Sequence, residues 1–171
     1  MRTTFALFIV LLCTLASGSA HAGTEIGINR KCGLGITLGS PTGLSGKCYL
    51  PDRVFAIDAV LAYQFIGRNG GALYVHSTAL WHPTELYDDT WGTVPWYVGV
   101  GPFVGTWFAN VPGNSGTSAS DWALGVRAPV GIGIDFAEVP IQIFVEVAIH
   151  VTVLPGVYVG PGFGLGGRYY F

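Results

Sequence analysis

From Ile141 to Val153 the chain alternates without a break. Ile141, Ile143, Val145, Val147, Ile149, Val151 and Val153 fall on one side, and Gln142, Phe144, Glu146, Ala148, His150 and Thr152 fall on the other. A period of two over this length predicts a β-strand. One face is wholly aliphatic while the other carries a carboxylate and an imidazole, so the strand is expected to put oil outside and polar groups inside. The same pattern sets Trp122, Leu124, Val126, Val130, Ile132, Ile134 and Phe136 against Gly125, Arg127, Gly131, Gly133 and Asp135. It sets Phe55, Ile57, Leu61, Tyr63 and Phe65 against Asp58 and Gln64. The last ten residues, GFGLGGRYYF, place Phe163, Leu165, Tyr169 and Phe171 on one face, with an aromatic at the carboxyl end.

Extended over the whole chain, the alternation predicts about eight antiparallel strands near 26–39, 42–50, 54–66, 71–82, 93–108, 121–136, 139–153 and 158–171. A chain with an oily outer face and a glycine-rich inner face satisfies its backbone groups in lipid by closing on itself. The expected fold is therefore all-β, a closed antiparallel up-and-down transmembrane β-barrel. An even strand count places both termini on the periplasmic side of a bacterial outer membrane. Residues 110–120, 67–70 and the Pro155 turn are then extracellular, and 51–53 and 137–138 are periplasmic turns. Residues 83–92 are too long for such a turn, and Asp88-Asp89 predict a solvated excursion.

The amino terminus changes the picture by adding export. Arg2, an apolar run over 5–15 and small residues ending in Ala20-His21-Ala22 predict a signal peptide over 1–22, leaving 23–171 as one barrel domain. Beyond it no apolar stretch is long enough for a membrane helix. Composition agrees: 50% of residues are hydrophobic, 11% are charged and 26 are glycine, whereas about a quarter of the residues in a soluble domain are charged. Without Arg2 the chain holds seven basic and ten acidic residues, a net charge of −3. No basic run points to nucleic acid.

Several strings taken together resemble a family of small bacterial outer-membrane β-barrels of unassigned function, similar to the eight-stranded OmpA/OmpX-type transmembrane barrels. They are LGSPTGLSGKCYL from Leu38, AIDAVLAY from Ala56, the GG-x-L-x-V-H-x-x-x-L-W-H run from Gly70 to His82, FVEVA from Phe144 and the terminal GGRYYF. The resemblance implies fold and location and brings no activity. The chain departs from the family where Cys48 stands in place of an aromatic residue.

The candidate chemistry lies on the inner face. Lys47, Asp58, His76, Arg127, Glu146 and His150 are expected to form a lumen charge network, since an unpaired buried ion costs several kcal/mol. A structural plug is the plainer reading. About eight strands leave an interior only just wide enough for side chains, and Tyr97, Phe103 and Trp107 are expected to obstruct it. Arg127 and Glu146 are expected nearly opposite each other across a tight hairpin at Ala137-Glu138. His76-Ser77 with nearby carboxylates resembles the set used by membrane-embedded lipid A deacylases, but adjacent strand residues point to opposite faces. A lipid hydrolase is thus the lesser alternative. A soluble barrel of lipocalin type would need its oil inside. No cofactor is expected, and His76, His82 and His150 match no metal-ligand spacing.

Cys32 and Cys48 are the only thiols beyond the leader. A hairpin centred near Ser40 puts them opposite each other on one face, and an oxidising compartment then predicts a disulfide worth roughly 3 kcal/mol for a loop of about 15 residues. Trp81, Trp91, Trp96, Trp107 and Trp122 near strand ends are expected to form interfacial girdles. Phe163, Leu165, Tyr169 and Phe171 are expected to serve as the signal read by the barrel assembly machinery. The other expected partners are outer-membrane lipids and lipopolysaccharide, and the reading is of a non-enzymatic, envelope-stabilising or adhesive protein.

Overall fold

The structure, a computed structural model, describes residues 31–52, 54–66, 70–110 and 118–171, and describes side chains for all of these except 64–66, 70–71, 107–110 and 118–121. The expected leader, most of the segments 67–70 and 110–120 that are expected to be extracellular, and the side chain of Trp107 lie outside that range.

Nine strands follow one another: β1 (Cys32–Ser40), β2 (Gly43–Tyr49), β3 (Phe55–Ile66), β4 (Gly70–Trp81), β5 (Glu85–Asp89), β6 (Gly92–Asn110), β7 (Ser118–Phe136), β8 (Ile141–Leu154) and β9 (Tyr158–Tyr170). Eight of them close a barrel. Neighbours pair antiparallel in chain order, β9 returns to β1, and β4 pairs with β6, leaving β5 outside the ring. The stretch expected as a solvated excursion is in part this fifth strand, folded as a hairpin onto the foot of β6 through Glu85↔Pro95 and Asp89↔Gly92. Its turn is tied by Asp89, whose carboxylate accepts from the Thr90 N–H at 2.7 Å and from Tyr87 Oη at 2.9 Å. Those bonds hold the carboxyl below the usual carboxylate range.

The strands are steeply staggered, as a small closed barrel requires. Paired residues lead from Ser40 at the tip of β1 through Phe163, Val147, Val130, Val98 and Trp81 to Phe55 at the foot of β3. Every residue on that path points outward. The strand heights are unequal, since β6 and β7 have 19 residues each whereas β2 has 7.

The faces divide as the alternation predicts. Along β8, Ile141, Ile143, Val145, Val147 and Ile149 are exposed, and Gln142, Phe144, Glu146 and Ala148 are buried. Glycine on the inner face makes room for the ring of its paired residue on the neighbouring strand. A Cβ on Gly131 would lie 2.4 Å from Tyr97, one on Gly166 2.5 Å from Phe144, and one on Gly125 2.6 Å from Phe103.

Two expectations about turns have different outcomes. Between β1 and β2 the register is Cys32↔Cys48, and the two cysteines form a disulfide across 4.1 Å between Cα atoms. Between β7 and β8 the turn is not the two-residue Ala137-Glu138 turn. Four residues, 137–140, join the strands, and the register becomes Asp135↔Gln142, Arg127↔His150 and Gly131↔Glu146. Pro140 has no N–H to donate to a ladder, and the Ile141 N–H bonds back to Val139 O at 2.7 Å, so pairing starts later than a tight hairpin would allow.

Candidate functional site

The lumen gathers six buried charges among the described residues: Lys47, Arg127 and Arg168 against Asp58, Asp135 and Glu146. The three positive and three negative groups balance.

At the end of the barrel that holds Lys31 and Phe171, Lys47 Nζ lies 2.9 Å from His82 Nε2 and above the rings of Tyr49 and Tyr97, at 4.5 and 5.1 Å. Tyr170 packs beside Tyr49 with ring centroids 6.0 Å apart, and its hydroxyl donates to Gln142 Oε1 at 3.1 Å. Gln142 Nε2 in turn donates to Asp135 Oδ1 at 2.8 Å. Cation and rings thus fill the lower lumen, with the amide of Gln142 linking three strands.

Arg168 occupies the middle. Its Nε donates to Ser45 Oγ at 2.8 Å, Nη1 to Gln142 Oε1 at 3.3 Å and Nη2 to Asp58 Oδ2 at 2.6 Å, while the guanidinium plane sits 3.9 Å from the Phe144 ring centroid. The planar fork of arginine suits this role, because it places several donors in fixed directions and stacks on a ring at once. His76 Nε2 approaches the other Asp58 oxygen at 3.3 Å, an ion-pair distance without hydrogen-bond alignment.

Above this, Arg127 Nη2 pairs with Glu146 Oε1. The two are not opposite each other in the ladder; the arginine side chain bridges the diagonal between them. Arg127 Nε and Nη1, Glu146 Oε2 and His76 Nδ1 have no hydrogen-bond partner among the described residues. Arg127 is therefore less completely satisfied than Arg168, whose three guanidinium nitrogens all donate. At the loop end the lumen widens into a ring cluster of Tyr74, Phe103 and His150, with centroids 5.4 to 5.9 Å apart.

All six expected lumen residues point inward, but they occupy separate layers rather than one site. Lys47 belongs to the aromatic lower layer, Asp58 and His76 to the middle, Arg127 and Glu146 to the upper, and His150 to the ring cluster at the mouth. Arg168, the residue with the most contacts in the middle layer, is missing from the set expected from sequence. Its inward parity follows from Tyr169 and Phe171 facing out, which was the available signal. Ser77 is exposed on the outer wall while His76 is buried inside, so the two cannot meet. No group of three or more His, Cys, Asp or Glu able to hold a metal occurs among the described residues.

On the outer wall at the terminal end, Phe55, Trp91, Tyr169 and Phe171 are exposed. Phe55 pairs with Trp81, and Trp91 lies near Phe136 at 6.5 Å between centroids. Trp122 and Tyr63 are exposed towards the other end.

No protein-family model and no curated protein matches the chain. Among solved structures it is similar to the N-terminal β-barrel domain of Pseudomonas aeruginosa OprF, with a TM-score of 0.59 at 15% identity, over 82% of this chain and 95% of that one. It is also similar to Ail, the attachment invasion locus protein of Yersinia pestis, with a TM-score of 0.45 at 16% identity, over 82% of this chain and 93% of that one. Neisserial surface protein A gives a TM-score of 0.43 at 13% identity, with the same coverage of each chain. The strand count, the closure of β9 on β1 and the match to the OprF barrel give one architecture: a closed, antiparallel, eight-stranded β-barrel of the outer-membrane type.

Proposed function

We propose that this chain is an integral protein of a bacterial outer membrane, with both termini periplasmic, that acts by neither catalysis nor conduction and stabilises the envelope while holding its loops at the surface. The observation that carries this reading is the closed polar lumen inside an oily wall. Between Asp58, His76, Arg127, Glu146 and Arg168 only about 10 Å³ remains open, roughly the space of one water-sized probe. A layer so filled speaks against passage of a hydrated ion, and the separation of His76 from Ser77 leaves that pair without nucleophile activation. The expected partners are the surrounding phospholipid and lipopolysaccharide and, during insertion, the barrel assembly machinery.

The test is purified protein in planar bilayers and in mixed micelles with lipopolysaccharide or phospholipid. Absence of stepwise conductance and of fatty-acid release is the expected result. Conductance steps, or fatty-acid release that disappears in His76→Ala, would replace this reading with a pore or a lipid hydrolase.

A further inference from the structure

The barrel wall is not of even height. β9 runs five residues, 158–162, beyond its last β1 partner at Phe163, and β3 runs four residues, 63–66, beyond its last β2 partner at Ala62. The β1–β2 hairpin between them therefore stops roughly 10 Å short of both neighbours, at a rise of about 3.3 Å per residue and a strand tilt of about 40°. The result is a notch two strands wide in the side of the wall, with the Ser40-Pro41 turn as its sill.

The exposed edge of β9 is adapted to that opening. Phe171 N–H bonds to Cys32 O whereas Tyr170 N–H bonds to Pro140 O, so odd-numbered residues of β9 turn their peptide groups towards β1 and even-numbered ones towards β8. Position 161 faces the notch, and it is proline, which has no N–H to leave unpaired. Behind the notch lies a cavity of about 260 Å³ whose walls include Ala72, Tyr74, Phe103, His150, Gly160 and Pro161. Its surface is mostly carbon and ring faces, with Tyr74 Oη and His150 Nε2 as buried polar atoms of the lining residues. Outside, the notch is framed by exposed apolar side chains, Val159 on one flank and Tyr63 on the other, with Leu38, Leu44 and Phe163 below. The cavity is thus continuous with the apolar outer wall through the gap, while the charged layers close it from beneath.

We infer that this cavity binds the acyl chain of a membrane lipid, which enters sideways through the notch above Ser40-Pro41. An acyl chain suits a site with apolar walls, a lateral mouth in the oily wall and a floor of rings. The polar part of the same lipid would stay at the sill, beside the peptide groups of the open β9 edge. This inference rests on the reading that the barrel spans a bilayer.

The test uses the full mature chain in phosphatidylcholine vesicles doped with a phosphatidylcholine that carries a diazirine in its acyl chain, with adducts mapped by mass spectrometry after irradiation. Adducts are expected on the inward rings Tyr74 and Phe103 as well as on the outward Phe163 and Leu165. Ala72→Trp and Thr152→Trp, each filling the cavity from a different strand, should lower the inward adducts at least fivefold and leave the outward ones unchanged. The outward adducts report an inserted barrel in the same sample. Outward adducts with Tyr74 and Phe103 unlabelled would overturn the inference. So would inward labelling by a short-chain diazirine carboxylate added from water and not by the lipid, which would make the cavity a mouth onto solvent. Loss of outward adducts in the unsubstituted chain would instead remove the membrane reading itself.

Discussion

Arg168 and Asp58, 110 residues apart in the chain, meet in the lumen with Nη2 and Oδ2 at 2.6 Å, so the last strand is tied to the third through the barrel interior. No ladder joins β9 to β3, because β1 and β2 stand between them. The pair acts as a strut across the barrel, and both of its ends are buried.

Arg168→Met is expected to destabilise the folded barrel by about 3 to 5 kcal/mol, the usual cost of leaving one member of a buried ion pair alone. Combining it with Asp58→Asn should recover much of that loss. Urea titrations of the refolded variants in detergent provide the measurement. A double variant as unstable as the sum of the two single ones would show that the strut contributes nothing as a pair.

The Arg127–Glu146 pair should be the weaker of the two. Arg127 uses one of its three guanidinium nitrogens and Arg168 uses all three. Arg127→Met is therefore expected to cost less than Arg168→Met, with a coupling to Glu146→Gln of about 1 to 3 kcal/mol in a double-mutant cycle. Strictly additive losses would dissolve the pair and reopen the upper lumen as a site for something else.

Neighbouring residues of β8 should respond in opposite ways to polarity. Val147 is 56% exposed on the outer wall and Ala148 is 6% exposed in the lumen. In a bilayer, Val147→Arg is expected to cost roughly 2 to 4 kcal/mol and Ala148→Ser little. Equal tolerance of the two in a vesicle folding titration would reverse the assignment of faces.

Phe171 contributes one backbone bond, from its N–H to Cys32 O at 2.9 Å, and its side chain is 68% exposed. Deleting it removes little from the folded barrel. If the assembly machinery reads this residue, the deletion will lower outer-membrane abundance in cells far more than it lowers the stability of refolded protein. Equal effects on both would make it an ordinary terminal residue.

The sequence made the barrel legible where one face is uniformly apolar. The outward rows of β7 and β8 can be read residue by residue, because a shift by one would turn Glu146 or Arg127 into lipid. The Cys32–Cys48 register was legible for a similar reason: the hairpin is short and its centre is marked. The β7–β8 register was not, since alternation fixes the face and leaves shifts by an even number of residues open; the turn around Pro140 decided it. The place of Arg168 was hidden by its setting in GGRYYF, where the aromatics dominate the pattern. The layered order of the lumen depends on strand stagger, which no single strand records. The notch likewise comes from unequal strand lengths on either side of β1 and β2, a relation between segments more than a hundred residues apart.

The close approach of glycine to its ladder-paired aromatic on the inner face has a consequence for how such a chain can change over generations. Gly131 faces Tyr97, Gly166 faces Phe144 and Gly125 faces Phe103, each with too little room for a methyl group. At 131 only the ring stands in the way, so that residue can grow only if Tyr97 shrinks, while at 125 and 166 a backbone carbonyl, Val151 O at 2.3 Å and Ile36 O at 2.4 Å, bars a Cβ whatever the ring. Among related chains the residues at 97 and 131 are therefore expected to vary together, as linked volumes whose sum is held by the girth of an eight-stranded ring, whereas 125 and 166 are expected to stay glycine whatever stands at 103 and 144.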